Sequence, residues 1–404
     1  MILPLDFQWI SLYVFIIVLS IVAFKNRKKM DVQSLLPGIV YLGLFRTNFG
    51  VKFIDKISKK YQEFIKILGL CGIGFGFAGM FVIIMAIIQT VIIAITTKST
   101  EGVGLLLPQT NYPGLGFLTF WYFIICLFVV IIIHEFSHGI VAKANGIKIK
   151  NSGLGFAAII APLLPLAFVE PDVKQMAKAP DHVKYSILAA GPFSNLITAL
   201  IILLMFTFIF FPLDGMLTEK DGLSFDSINE SFPSGVLPDD FILREVNGEK
   251  VSDLTEFVDE MYYVHPGDSL ILGDGKNTYP LVTVENPDDS EKAFIGINNF
   301  VNEVKIKDGI NETFYNIYKW IRDLFRWLGQ ISLAIGLMNL LPIVITDGGQ
   351  MFNLMSSKIF KNEKTARKII TLISLLFAGI LIFFIASQLF SFGVGLLGFF
   401  IALF

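Results

Sequence analysis

The sequence predicts a polytopic α-helical membrane protein of six to seven spans, with a membrane re-entrant hairpin and a small extracytoplasmic domain. Three observations carry this expectation. Of 404 residues, 54% are hydrophobic and only 16% charged, against about 25% charged in soluble chains. The uncharged residues fall in runs long enough to cross a bilayer. The charge is also segregated: residues 213–312 hold 22 acidic and seven basic side chains, a net −15, which leaves +13 for the rest of the chain. This composition argues against a soluble enzyme, a nucleic-acid binder and a disordered chain. The two cysteines, Cys71 and Cys126, lie in apolar stretches and cannot make a disulfide framework or a cysteine cluster for zinc.

The uncharged runs are Phe7 to Phe24, Ile67 to Thr97, Gly102 to Ile133, Tyr185 to Pro212, Trp327 to Thr346 and Ile369 to Phe404. A hydrocarbon core of roughly 30 Å needs about 20 apolar helical residues, so each run fits one span with some flank. The last would reach about 54 Å as one helix, and a break near Ser387 to Gly395 is expected to split it into a span and a shorter piece. The first run has no basic residues before it and is followed by Lys25, Arg27, Lys28 and Lys29, the pattern of an uncleaved anchor.

Basic residues set the orientation. Segment 25–66 has ten Lys/Arg against three acids, segment 142–184 six against three, and segment 358–368 five against one. Alternating spans put all three on one face, expected to be cytoplasmic. The acidic residues 213–312 then lie outside as one small domain, their charge a solvated surface. One run differs from the others. Asn151 to Val169 is uncharged but contains Gly153, Gly155, Pro162 and Pro165, which disfavour a helix. A hairpin dipping into the membrane from the cytoplasmic side fits better, and backbone of that kind must be shielded by protein or line a wet cavity.

The third run leads into His134-Glu135-Phe136-Ser137-His138. Positions i and i+4 share a helix face, so both imidazoles can reach one ion, with Glu135 beside them as general base. Ionisable groups inside a span are costly and mark function. A catalytic zinc takes three protein ligands and a water. Of the other histidines, His182 sits beside Asp181 and His265 in the turn His265-Pro266-Gly267; both are expected on the surface. Asp347 is the best remaining third ligand. It ends an uncharged run, and Pro342 before it breaks the helix. The alternative for Asp347 is a helix cap at a broken span.

Three separated motifs resemble the site-2 protease family of intramembrane zinc metalloproteases, in particular its archaeal members with a PDZ-type insert. His134-Glu135-Phe136-Ser137-His138 is similar to the family's zinc motif, Ala190-Gly191-Pro192-Phe193-Ser194-Asn195 to its GPxxN motif, and Asn339-Leu340-Leu341-Pro342 with Asp347-Gly348 to its NxxP-x4-DG pattern. The resemblance covers residues about 116–213 and 327–368. It implies Zn²⁺ on His134, His138 and Asp347, Glu135 as catalytic base, and Asn195 and Asn339 as contacts for the substrate backbone or an oxyanion. It also implies that residues 153–169 form the family's membrane-embedded β-hairpin, whose edge can pair with a substrate strand.

The expected organisation is residues 1–115 for the first spans and a basic loop, 116–213 for the first half of a protease core, 214–312 for the PDZ-like domain, 313–368 for the second half of the core, and 369–404 for the C-terminal span or spans. In the insert, Asn247-Gly248 reads as a hairpin turn and Val251 to Tyr263 as a helix with Ser252 near its cap. The implied activity is hydrolysis of a peptide bond in or near the transmembrane segment of a substrate protein, in the cell membrane, with the active site toward the cytoplasm. The implied partners are that substrate and the lipid bilayer, with no nucleic acid. The rival reading is a non-proteolytic metal-binding membrane protein or transporter, but the half-span Phe117 to Val130 offers no polar path.

Overall fold

The computed structural model describes residues 5–36, 40–47, 50–97, 106–112, 115–158, 162–229, 231–238, 240–287, 289–360 and 362–402. The chain divides into two compact units. Among the described residues, four helical stretches are long and apolar enough to cross a membrane: Gln62–Thr97, Phe120–Ala144, Asp181–Leu217 and Lys364–Gln388, with a shorter apolar helix at Ile10–Lys25.

In the first unit, helix α1 (Leu5–Lys25) leads to strands β1 (Asp31–Leu36) and β2 (Val40–Thr47), then helices α2 (Val51–Lys60) and α3 (Gln62–Thr97). Gly69, Gly72, Gly76 and Gly79 are all buried along α3. Added Cβ atoms there would meet Ser186 and Val141, Phe193, Met351 and Leu340, so this stripe allows neighbouring segments to approach closely. Large apolar side chains of α3 such as Phe64, Phe75, Phe81 and Ile95 are exposed, as a lipid-facing surface requires.

Short strands β3 (Thr110–Tyr112) and β4 (Gly116–Leu118) precede α4 (Phe120–Ala144). The helix in the run from Gly102 to Ile133 therefore starts only at Phe120, where the Thr119 side chain accepts from the Tyr122 N–H. It ends in a Schellman turn: Gly146 has φ +82°, the Ile147 N–H donates to the Ala142 carbonyl and the Gly146 N–H to that of Lys143.

Strands β5 (Ile149–Ala158) and β6 (Pro162–Pro171) follow. They pair antiparallel in a four-stranded sheet of order β1-β2-β5-β6, so Asp31–Leu36 and Val40–Thr47, expected in a basic loop, supply half of that sheet. A Cβ at Gly153 would lie 2.0 Å from the Phe45 carbonyl oxygen and one at Gly155 2.5 Å from that of Gly43. These two glycines let β2 close on β5. Arg46 bridges the sheet, donating from Nε to Glu170 (2.9 Å) and from a terminal nitrogen to Asp31. Asn151 donates to the other oxygen of Glu170 at 2.9 Å.

Helix α5 (Val173–Lys178) is capped by the Asp172 carboxylate. Helix α6 (Asp181–Met205) contains Pro192 and continues through a π-helical turn at Phe206–Phe210 into α7 (Phe211–Leu217).

The second unit comprises residues 111–116 and 204–322. Strand β7 (Thr218–Ser227) pairs with β14 (Ile297–Ile306). Between them, β8 (Glu245–Val246), β9 (Glu249–Lys250), β10 (Ser269–Gly273) and β11 (Thr278–Val282) form a sheet of order β11-β10-β8-β9, and β12 (Val284–Asn286) pairs with β13 (Asp289–Phe294). Their core includes Leu223, Leu243, Val246, Leu270 and Leu272, each fully buried. Asn247 (φ 51°) and Gly248 (φ 87°) make the tight turn between β8 and β9. Helix α8 spans only Leu254–Met261. Val251 is held in the core and its N–H donates to the Arg244 carbonyl, so the cap is Asp253, which accepts from the Glu256 N–H, while Ser252 donates to the Glu256 carboxylate.

Helix α9 (Glu312–Met338) stops before Asn339, and α10 (Asp347–Ile359) begins after an eight-residue turn. The apolar run from Trp327 to Thr346 is thus not one helix but the end of α9 and a folded loop. The last helix, α11 (Glu363–Ala402), is continuous, which corrects the break expected near Ser387 to Gly395. That stretch holds Gly393 and Gly395 but no proline. Glycine costs a helix about 1 kcal/mol, whereas freed backbone groups in lipid cost several kcal/mol each, so the helix persists.

Candidate metal centre

The centre is built on α4, α6 and the turn between α9 and α10. His134 and His138 lie one turn apart on α4, with ring centroids 4.8 Å apart. Their Nε2 atoms are 3.2 Å apart. The Asp347 carboxylate oxygen Oδ2 is 3.0 Å from Nε2 of His134 and 3.4 Å from that of His138. His134 is buried and the other two nearly so.

The turn that delivers Asp347 depends on its sequence. The Gly348 N–H donates to the Asn339 carbonyl at 2.8 Å, closing the loop on itself. Cβ atoms at Gly348 and Gly349 would lie 2.1 Å from the Leu340 carbonyl oxygen and 1.8 Å from that of Ile343. Pro342 lacks an N–H and cannot continue α9. Thr346 caps α10 by accepting from the Gly349 N–H at 3.1 Å, and Ser374 of α11 fixes the loop by donating to the Pro342 carbonyl and accepting from the Val344 N–H.

Helix α6 supplies the other wall. The Ile187 carbonyl lies 2.6 Å from Nδ1 of His138, and the Asn195 side-chain amide 3.2 Å from Nδ1 of His134. Between them Gly191 faces both imidazoles, and a Cβ there would sit within 2.6 Å of each Nε2. Positions 187, 191 and 195 are one stripe of a helix. From the edge strand β6, the Val169 backbone comes up beside the Glu135 carboxylate. Gly139 permits that approach, since a Cβ there would meet Val169 at 2.9 Å.

The donor set fits a small divalent cation. Ligand atoms 2.0–2.1 Å from a tetrahedral ion lie about 3.3 Å apart, and the three separations here are 3.0, 3.2 and 3.4 Å. Two imidazole nitrogens and a carboxylate oxygen suit zinc and similar metals. Both Nδ1 atoms face hydrogen-bonding groups, which leaves both Nε2 atoms for a ligand.

Of the residues singled out from sequence, the structure brings together His134, Glu135, His138, Asp347 and Asn195. Asn339 joins them through its carbonyl, and its side chain is partly exposed. His182 and His265 are exposed, Cys71 is exposed and Cys126 buried, and none of the four belongs to the ligand group. Sequence reasoning named Gly191 only within its motif and gave it no role, and it overlooked the Ile187 carbonyl and the Val169 backbone. Gly191-Pro192 inside an apolar span was the available signal for the first two. Nothing local marks Val169.

The family model for Peptidase family M50 matches residues 122–384, an interval that contains all five clustered side chains. An uncharacterized protein of Methanocaldococcus jannaschii is 28% identical over 353 residues, covering 83% of each chain.

Proposed function

Because the chain belongs to Peptidase family M50, the site-2 protease family, we propose that it is an intramembrane zinc metalloprotease that cuts a peptide bond in or near the transmembrane segment of another membrane protein. Membership makes it a membrane metallopeptidase. The single observation that carries the finer reading is the meeting of His134, His138 and Asp347 beside Glu135, within a span otherwise uncharged from Phe120 to Ile133.

In this reading His134, His138 and Asp347 hold Zn²⁺. When bound, the ion supplies Lewis acidity that polarises a carbonyl and acidifies water. Glu135 takes the proton of the attacking water and returns it to the leaving amine. Its carboxylate has the Val169 backbone beside it. Asn339, partly exposed beside the Asp347 turn, offers donor and acceptor to the substrate backbone or to the developing oxyanion. A substrate helix must unwind to expose a peptide bond. Strand β6, at the edge of its sheet, gives the extended segment main-chain partners by β-addition.

The hairpin β5–β6 is then the re-entrant element, entered from the cytoplasmic side. Its glycines and prolines and the family membership support this. Six crossings follow if α1 and the apolar end of α9 with the turn into α10 join the four long helices. The basic segments support a site toward the cytoplasm of the cell membrane and residues 214–312 outside. The hairpin at Asn247-Gly248 followed by helix α8 supports a PDZ-like reading of that insert, which would screen substrates by size or by their ends.

The test is cleavage of single-span membrane proteins by reconstituted wild type and Glu135→Gln. The expected result is fragments with wild type only, at equal metal content. Fragments from both proteins would reject Glu135 as the base. Unchanged zinc content in Asp347→Ala would reject that ligand.

A further inference from the structure

We infer that Asn195 is a positioning residue for His134 rather than a contact for substrate. The inference rests on the metal-centre reading above. Asn195 is fully buried, with Gly336 packed on its Cβ and its carbonyl accepting from Ser332 at 2.9 Å. A side chain so enclosed presents nothing to a peptide. Its amide instead meets Nδ1 of His134 at 3.2 Å, while its Oδ1 has no hydrogen-bond partner among the described residues.

The chemistry of the ring explains that unpartnered oxygen. With Nε2 donating to Asp347, Nδ1 of neutral His134 is an acceptor and the Asn195 NH₂ is its donor. With Nε2 serving as a ligand, the ring proton must sit on Nδ1, which becomes a donor. A half-turn of the Asn195 amide exchanges its nitrogen and oxygen within the same volume and presents Oδ1 to that proton. Asparagine can therefore serve both tautomers from one place. An apolar residue serves neither, and an aspartate serves the ligating one. His138 needs no such group, because its Nδ1 faces the Ile187 carbonyl. One helix thus sets both imidazoles, by main chain at 187 and by side chain at 195.

The experiment measures zinc affinity of the purified full chain in detergent by chelator competition, for wild type, Asn195→Leu and Asn195→Asp. Substrate KM and kcat are measured in parallel at saturating zinc. Asn195→Leu is expected to bind zinc about 10–100-fold more weakly, with KM within twofold of wild type. Asn195→Asp is expected to restore affinity to within about threefold, which a purely space-filling role would not produce. Affinity of Asn195→Leu equal to wild type overturns the inference. So does a raised KM at unchanged affinity, which would return Asn195 to the substrate, and so does Asn195→Asp binding as weakly as Asn195→Leu. In wild type, a slowly exchanging His134 Nδ1–H resonance on zinc addition supports it, and its absence opposes it. His134→Ala is the control for the underlying reading: undiminished affinity there would dismiss the metal centre itself.

Discussion

Gly191 faces Nε2 of His138 at a separation that leaves no room for a side chain, since a Cβ at position 191 would lie 2.4 Å from it. The glycine of α6 is a spacing device for the imidazoles of α4. Gly191→Ala is therefore expected to push α6 away or rotate both rings. Displacements of about 1 Å cost on the order of 10²-fold in rate. Zinc affinity and peptidase activity should fall together, by at least about tenfold, while the helical circular dichroism is kept. Full zinc affinity in this variant would show that the two helices have slack.

Gly348 and Gly349 give a prediction of sign. Glycine to alanine inside a helix normally stabilises by roughly 0.5–1 kcal/mol. At these two positions the new carbon would lie 2.1 and 1.8 Å from backbone oxygens, which no rotamer change relieves. Gly348→Ala and Gly349→Ala should lower the melting temperature in detergent, whereas Gly379→Ala in α11, where nothing lies within 4 Å, should leave it equal or raise it. Three shifts in the same direction would contradict the turn geometry.

Arg46 ties β2 to both β1 and β6 through Asp31 and Glu170. Arg46→Met should leave zinc content unchanged but speed hydrogen exchange along β5 and β6. If the edge of β6 receives substrate, KM should rise severalfold with little change in kcat. A fall in kcat alone would assign Arg46 a different task.

The insert of residues 214–312 should be acid-sensitive through Asp221. The Arg244 guanidinium, bonded to both carboxylate oxygens at 2.8 and 3.2 Å, holds the Asp221 carboxyl below its ordinary 3.8. A depressed carboxyl contributes stability that is present above its unfolded pKa and lost as pH falls through the folded one. Amide protection of β7 and β8 should thus be flat from pH 7 to about 5 and decline below about 4. Arg244→Met should reduce protection at pH 7 and flatten the acid decline. An unaltered decline would place the acid sensitivity in Asp253 or Asp274, whose carboxyls are lowered by Lys220 and by backbone amides.

Much of the centre could be read in advance because charge is so costly in lipid. A histidine pair with i, i+4 spacing and an aspartate ending an uncharged run each stand out against their neighbours. The turn at Asn247-Gly248 was readable because its backbone demands those residue types. What escaped were features set by partners distant in sequence. Strand β2 pairs with β5 more than a hundred residues later, and nothing in Val40–Thr47 names that partner. The late start of α4 at Phe120 and the stop of α9 at Met338 also fall inside uncharged sequence. Hydropathy cannot place a boundary there, whereas the cap at Thr119 and the Asn339–Gly348 bond do. Conversely, the length of the last uncharged run suggested a break, yet α11 runs through it without one.

The oxygen of Asp347 meets a nitrogen encoded 213 positions earlier. During synthesis the ribosome releases both imidazoles, then the entire acidic insert, before the carboxylate exists. Every nascent chain shorter than that lacks one of the three donors that the centre brings together.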